Sequence, residues 1–132
     1  MANAAGKFDV ELFFKALADR TRLRLINLMG GDEVCVCFFV EVFGTNQPKV
    51  SRHLAYLRRA GIVKARKDGK WVQYSVAEPP DPNAARVLRD VRAWLAEDAE
   101  MRRDRERLAR VCCAQRQPVS IQGAPRPASL SS

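Results

Sequence analysis

The stretch from Thr45 to Gly61, TNQPKVSRHLAYLRRAG, restricts this chain more than any other. Thr45 or Asn46 can cap a helix, and Pro48 suits the first turn because a proline there gives up no intrahelical hydrogen bond. Val50, Leu54 and Leu57 follow at i, i+4 and i+7, an apolar stripe that must pack on something. Gln47, Lys49, Ser51, Arg52, His53 and Tyr56 lie off the stripe, and Gly61 closes the helix because a residue without a Cβ accepts the left-handed conformation. One face packs and the other is free. Short polar groups at the start of such a helix reach base edges in the major groove of DNA, while Arg and Lys hold phosphates. Taken alone, the same pattern suits an amphipathic helix with a merely solvated basic face.

What surrounds the stretch favours the first reading. After Gly61 the apolar period changes from 3.6 to 2, and IVKARKDGKWVQYSV divides into two strand-like runs around Asp68–Gly69, a tight-turn dipeptide. In this β-wing Val63, Ala65, Val72, Tyr74 and Val76 alternate onto a core face. Lys64, Arg66, Lys67, Lys70 and Gln73 fall on the other side or at the tip, where cations meet a phosphate backbone. An ordinary hairpin with lysines guarding its edges is the alternative. Upstream, EVCVCFFVEVFG is nearly all apolar, and periodicity alone cannot separate a buried strand from a short helix. A helix is expected, because a short helix, a turn at Gly44–Asn46 and a helix from Pro48 make a helix-turn-helix.

Earlier still, Val10, Phe13, Phe14 and Leu17 mark a first helix, and Asp19 caps a second through TRLRLINLM that Gly30–Gly31 stops. EPPDP breaks the chain after the wing, with Asp81 and Pro82 opening one long helix. Val87, Val91, Trp94, Met101 and Leu108 form its sparse seam, with Leu88, Leu95 and Val111 beside it. Packed on the first helix and on a symmetry mate, it would make a two-fold dimer offering two reading helices to a palindromic site. The charges of EMRRDRERLAR read as a solvated face. AQRQPVSIQGAPRPASLSS, rich in Pro, Ser and Gly, reads as a disordered tail. The expected architecture is mainly α with a small β-wing, a winged helix-turn-helix that dimerises through its first and last helices. Residues 1–113 form the DNA-binding and dimerisation domain and 114–132 the tail.

Composition agrees. The formal charge of +8 and pI near 9.9 call for an acidic partner, either nucleic acid or an anionic membrane surface. There is no apolar run long enough to span a bilayer, and the opening MANAAGKFDVELFF lacks a charged segment followed by an apolar one, so a cytoplasmic protein with no membrane partner is expected. In that reducing compartment Cys35, Cys37, Cys112 and Cys113 point to metal binding or redox sensing. The thiols invite comparison with an oxidoreductase or an arsenate reductase. No CxxC or phosphate loop accompanies them, and the single histidine is His53, so an enzyme is not expected.

The order of elements, with ALADRTRLRLINLM, EVCVC, QPKVSRHLAYLRRAGIV and RKDGKWVQYSV, resembles the ArsR (ArsR/SmtB) family of winged-helix metalloregulatory repressors over roughly residues 8–111. The resemblance implies a homodimer that binds double-stranded operator DNA and lets go when a toxic metal or metalloid binds. Gln47, Lys49, Ser51, Arg52 and His53 would contact DNA, with Arg66 and Lys70 in the wing. Cys35 and Cys37 match the thiols of a motif like ELCVCDL in the arsenic- and cadmium-responsive branch. Val40 stands where the arsenic type often has a third cysteine, and Phe38 stands where the motif has Asp. Cadmium sensors draw thiols from an N-terminal extension, whereas no cysteine here precedes Cys35, and the zinc sensors' histidines on the last helix are missing.

Cys112 and Cys113 remain to complete a site. Thiolates select soft, thiophilic ions. Three would hold arsenite or antimonite, and two suffice for a trivalent organoarsenical. The expected inducer is therefore arsenic(III) or antimony(III), on Cys112 and Cys113 with Cys37 or Cys35, within one subunit or across the dimer. In a second version Cys112 and Cys113 act alone and Cys35 and Cys37 are buried small hydrophobes. The alternatives are a sensor of another thiophilic metal such as cadmium, and a redox-sensing repressor in which Arg107, Arg110 and Arg116 lower thiol pKa values.

Overall fold

The computed structural model describes residues 8–114 and 117–130. Helices α1 (Val10–Leu17) and α2 (Arg20–Met29) come first, followed by strand β1 (Val34–Cys35), α3 (Val36–Phe43) and α4 (Gln47–Arg59). Strands β2 (Val63–Asp68) and β3 (Trp71–Val76), α5 (Pro82–Ala96) and α6 (Ala99–Cys113) complete the fold, which is mainly α with a small sheet. Side-chain oxygens of Asp9, Asp19, Asn46, Asp81 and Asp98 each accept from backbone N–H groups of the following turn. Every such cap is worth about 1 kcal/mol and sets where its helix begins.

Helix α4 starts at Gln47 and ends as expected. Gly61 takes φ +80°, its N–H donates to the Arg58 carbonyl at 3.1 Å, and Ile62 N–H donates to the Leu57 carbonyl at 3.0 Å. That pair of bonds is the six-to-one, five-to-two closure for which glycine is suited. The stripe Val50, Leu54 and Leu57 is buried in a core with Phe13, Leu25, Ile26, Phe38 and Phe39. Each fully buried side chain of this size contributes roughly 1.5–3 kcal/mol, so docking of α4 is firmly determined.

Six local expectations change. The segment EVCVCFFVEVFG is both a strand and a helix: Val34 and Cys35 pair antiparallel with Tyr74 and Gln73, and α3 begins at the next residue. β1 thus lies against β3, giving the order β1-β3-β2, and this is why Gln73, assigned to the solvent side, is buried. The wing turn is Gly69–Lys70 rather than Asp68–Gly69, since Asp68 pairs with Trp71. Gly69 takes the positive φ of 60° that the first central position of such a hairpin requires.

The long last helix is broken at Glu97–Asp98. Asp98 caps α6 by accepting from Met101 N–H at 3.1 Å, and Arg20 at the start of α2 grips both Asp98 and Glu100. The break splits the seam, because Met101 and Leu108 turn inward on α2 and α3 while Trp94 remains 76% exposed. The charges of α6 are only partly a solvated face. Asp104, 6% exposed, accepts from Arg24 Nε at 2.7 Å and Nη2 at 2.9 Å. Finally, residues 117–130, expected as part of a disordered tail, lie against the domain with Ile121 and Pro127 buried.

Candidate nucleic-acid interface and thiol site

Helix α4 is delivered by a sharp turn. Gly44 adopts a left-handed conformation (φ +63°) and Asn46 accepts from Lys49 N–H at 3.0 Å, which fixes the first turn. Gln47, Lys49 and Arg52 are exposed, whereas Ser51 and His53 are half-buried. His53 faces the start of α2, its Nδ1 3.4 Å from Arg22 Nη1 and 3.8 Å from Asp19 Oδ1. Arg22 is itself held, donating from Nε to the Ala16 carbonyl at 2.8 Å and from Nη2 to the Lys15 carbonyl at 2.9 Å. Its guanidinium lies 4.2 Å from the Tyr56 ring centroid, and Arg59 stacks on that ring at 5.2 Å. Each such contact is worth about 0.5–1 kcal/mol at exposed sites, and the Arg22 one ties α4 to the start of α2.

The wing presents Lys70 at its tip, with Nζ 4.9 Å from the Trp71 ring centroid. Arg66, also exposed, is engaged with Glu33 by two hydrogen bonds of 2.8 Å, and Asp68 lies 3.7 Å from its Nη2. The Arg66 guanidinium holds the Glu33 carboxyl below the ordinary carboxylate range. Spacing alone did not single out Glu33. The signal is there, because a period-two reading of Glu33–Cys35 makes that segment an edge strand, and in the order β1-β3-β2 Arg66 of the basic strand reaches it from across β3.

The structure brings Cys35 and Cys37 together. Cys35 ends β1 opposite Gln73, Cys37 occupies the first turn of α3, and the Cys37 thiol donates to Cys35 Sγ at 2.9 Å. Sharing one proton separates their acidities: the hydrogen bond from Cys37 lowers the Cys35 thiol to about 7 against the opposing effect of burial, and the same bond raises Cys37. A pair that loses its first proton near neutrality makes a nucleophilic thiolate ready for a soft ion or an oxidant.

Cys112 is buried on α6, which packs against α3, and its Sγ lies 3.6 Å from the Ala109 carbonyl. The Cys113 side chain lies outside the described residues. Among the described residues no three His, Cys, Asp or Glu side chains gather closely enough to hold a metal ion, so Cys35–Cys37 stands as a two-thiol pair with α6 beside α3. The donor chemistry fits a soft thiophilic ion.

A short helix, a left-handed turn, a docked polar helix and a basic two-stranded wing define a winged helix-turn-helix DNA-binding protein. Residues 19–65 match the model for "Bacterial regulatory protein, arsR family". The arsenical resistance operon repressor of Escherichia coli is 39% identical over 102 residues, spanning 76% of this chain and 86% of its own length. The arsenic resistance transcriptional regulator ArsR1 of Pseudomonas putida is 41% identical over 93 residues, 67% of this chain and 73% of that one. Among solved structures, the homodimeric winged helix-turn-helix domain Mb0332 of Mycobacterium bovis superposes with a TM-score of 0.55 at 29% identity, covering 70% of this chain and 91% of that one. A probable mercury resistance operon repressor of Streptomyces lividans and a cadmium resistance transcriptional regulatory protein of Listeria innocua are similar as well. The chain belongs to the ArsR family, and it is a DNA-binding transcriptional repressor rather than an enzyme.

Proposed function

We propose that this repressor acts as a homodimer on operator DNA and is released when trivalent arsenic or antimony binds its cysteine thiolates. The observation that carries this reading is the Cys35–Cys37 pair, with sulfurs 2.9 Å apart and Cys35 made more acidic by the hydrogen bond from Cys37. A soft ion bonded to two thiolates at about 2.3 Å each holds the sulfurs roughly 3.5–3.8 Å apart, so the pair need open by less than about 1 Å. Helix α6, which packs against α3, carries Cys112 and Cys113, so three thiolates drawn from the two places complete the site. Similarity to arsenical repressors supports arsenic as the inducer, and cadmium and mercury are the competitors to be tested.

In this reading Gln47, Lys49, Ser51, Arg52 and His53 of α4 meet the major groove, and Arg66 and Lys70 meet phosphates. Dimerisation uses α1 and α5. Phe14 is 52% and Trp94 76% exposed, and Leu17, Val87 and Val91 lie half-buried around them. Large apolar groups left in one region of a basic surface mark an interface. The protein works in the cytoplasm, where thiols stay reduced; no described helix is long and apolar enough to cross a membrane. Binding of an ion can release DNA only by favouring the conformation with the lower DNA affinity. β1 supplies the route, since Cys35 pairs with Gln73, which pairs in turn with Arg66 of the wing.

A redox reading is favoured by the same acid thiol. The deciding experiment is fluorescence anisotropy of the full chain on the duplex upstream of its gene, under reducing conditions, titrated with arsenite, antimonite, a trivalent organoarsenical, cadmium, mercury and zinc. Release by arsenite or antimonite at near-stoichiometric concentration, lost in Cys→Ser variants, is the expected result. DNA binding indifferent to every ion and abolished by peroxide assigns the thiols to redox sensing and overturns the metalloid reading.

A further inference from the structure

We propose that residues 117–130 are a strap that binds the cysteine-bearing segment Asp32–Glu41 to the thiol end of α6, so that thiols from both places serve a single metalloid. The proposal rests on the metalloid reading above and adds to it a part of the chain that belongs neither to the DNA-reading unit nor to the thiols.

The anchors fall on both flanks of Cys35 and Cys37. On one flank, Ser129 N–H donates to Asp32 Oδ1 at 3.2 Å and its hydroxyl bonds the other carboxylate oxygen, three residues before Cys35. On the other, the Ser120 hydroxyl donates to Glu41 Oε2 at 2.9 Å, four residues after Cys37. Gln117 Nε2 donates to the Cys112 carbonyl at 2.8 Å, which ties the same run to the end of α6. Between these polar anchors Ile121 is fully buried in the core in a short 3₁₀ turn (Val119–Ile121) against α3, and a second turn (Ala128–Leu130) lies against α6.

The strap packs through few apolar groups, Ile121 and Pro127 with Ala124 and Leu130 beside them, and leaves Val119 85% exposed. Its directed bonds go instead to two carboxylates and one carbonyl bracketing the thiols. α6 has a further tie to α3 through Arg107 Nη2, which donates to the Glu41 carbonyl at 3.4 Å. Glu41 is therefore gripped from α6 and from the strap at once. Holding ligand-bearing elements at a fixed separation makes the last coordination step intramolecular at high effective concentration. Groups that orient ligand-bearing segments without touching the ion commonly change metal affinity 10- to 100-fold when removed.

The test uses the full chain carrying Ser120→Ala/Ser129→Ala/Gln117→Ala, which removes the side-chain anchors and leaves only the Ser129 N–H on Asp32, and separately Ile121→Ser, which removes the buried plug. Three quantities are read: DNA affinity without inducer, the arsenite concentration giving half-release, and the rate at which the inducer-free protein reacts with a disulfide-exchange thiol reagent. The expected result is unchanged uninduced DNA affinity, a half-release concentration raised about 10- to 100-fold, and faster thiol reaction. Unchanged half-release in both variants overturns the strap, as does a parallel loss of uninduced DNA binding, which would make residues 117–130 an ordinary part of the fold. Should the unsubstituted protein ignore arsenite altogether, the metalloid reading fails on its own. Thiol reaction rates then decide the strap separately, because unchanged rates in both variants overturn it and faster rates retain it as the tie over Cys35, Cys37 and Cys112.

Discussion

Arg66 of the wing and Glu33, two residues before Cys35, face each other as a fork against a carboxylate, with Nε and Nη2 each 2.8 Å from an oxygen. The pairing joins the wing to the segment that carries the thiols. It runs beside the backbone ladder in which Cys35 and Arg66 flank Gln73 on one row of the sheet. A displacement of β1 at Cys35 therefore acts on Arg66 by two routes, one along the chain to Glu33 and across its ion pair, and one through β3.

Removing the Glu33 charge should tighten DNA binding, because Arg66 then meets a phosphate without first giving up a carboxylate. The pair is exposed, so Glu33→Gln is expected to raise affinity by only a small factor, about two- to fivefold at low salt. Arg66→Ala should weaken binding and make the logarithmic salt dependence shallower by about one phosphate contact. Anisotropy titrations at several salt concentrations measure both. A Glu33→Gln protein that binds DNA more weakly would mean that the carboxylate positions Arg66 rather than competing for it.

Acidity at the thiol pair makes capture of arsenite pH-dependent in a definite direction. With Cys35 lowered to about 7 by the hydrogen bond from Cys37, the proton returns to Cys35 as pH falls through neutrality. The reactive thiolate drops from half at pH 7 to roughly a tenth at pH 6, and the capture rate should drop with it. Cys37→Ala removes the donor, so the Cys35 profile should move upward toward an ordinary thiol. Stopped-flow absorbance of the sulfur-to-arsenic band gives both profiles. A rate that keeps rising about tenfold per pH unit from 6 to 8, with no bend near 7, would assign capture to a thiol of ordinary acidity rather than to Cys35.

The reading unit was legible because its signals are local. Asn46, Pro48, the stripe of Val50, Leu54 and Leu57, and Gly61 each act within one or two turns, and the wing announces itself by alternation around a glycine. The thiol surroundings were less legible because they are made by distant pairings. β1 is only two residues long and is recognisable as a strand chiefly because β3 lies beside it. Gln73 looked solvent-facing by alternation and is buried only because that third strand exists. The break at Asp98 was hidden by a seam that fits a continuous helix, although Asp98 is the kind of residue that restarts one. Residues 117–130 are polar enough to read as tail, and their order rests on one buried isoleucine and on hydroxyls whose partners lie in Asp32 and Glu41.

The ion pair between Arg24 and Asp104 fastens α6 to α2, and its loss should be felt in stability. Asp104 is 6% exposed and accepts two hydrogen bonds from a guanidinium that also lies 4.3 Å from the Phe43 ring centroid. Asp104→Ala strands Arg24 in a partly desolvated position, an effect of roughly 2–4 kcal/mol at such a depth. Urea unfolding at one fixed protein concentration should show a midpoint lowered by that amount divided by the slope, with little change in the slope itself. A loss under about 0.5 kcal/mol, the range of ordinary surface substitutions, would mean that Arg24 finds water or another carboxylate at no penalty.

Trp94 supplies the sharpest test of the dimer. The side chain is 76% exposed on α5, beside Leu17 of α1 and Val91, and among the described residues nothing covers this indole, which stands near Arg20 and Asp98. At the centre of a two-fold contact it would meet its own copy or the apolar face of α1, and tryptophans so placed commonly carry 2 kcal/mol or more of association. Trp94→Ala should therefore raise the dimer dissociation constant by about 30-fold or more. The fold should survive, since no buried contact is lost. Sedimentation equilibrium over a range of concentrations reads the constant directly. Operator affinity should fall in the same variant, because a monomer offers only one α4 to a two-part site, whereas binding to a single half-site should stay as it was. An unchanged dimer with intact operator binding would move the contact away from α5 and leave Phe14 and the rest of α1 as the surface to test.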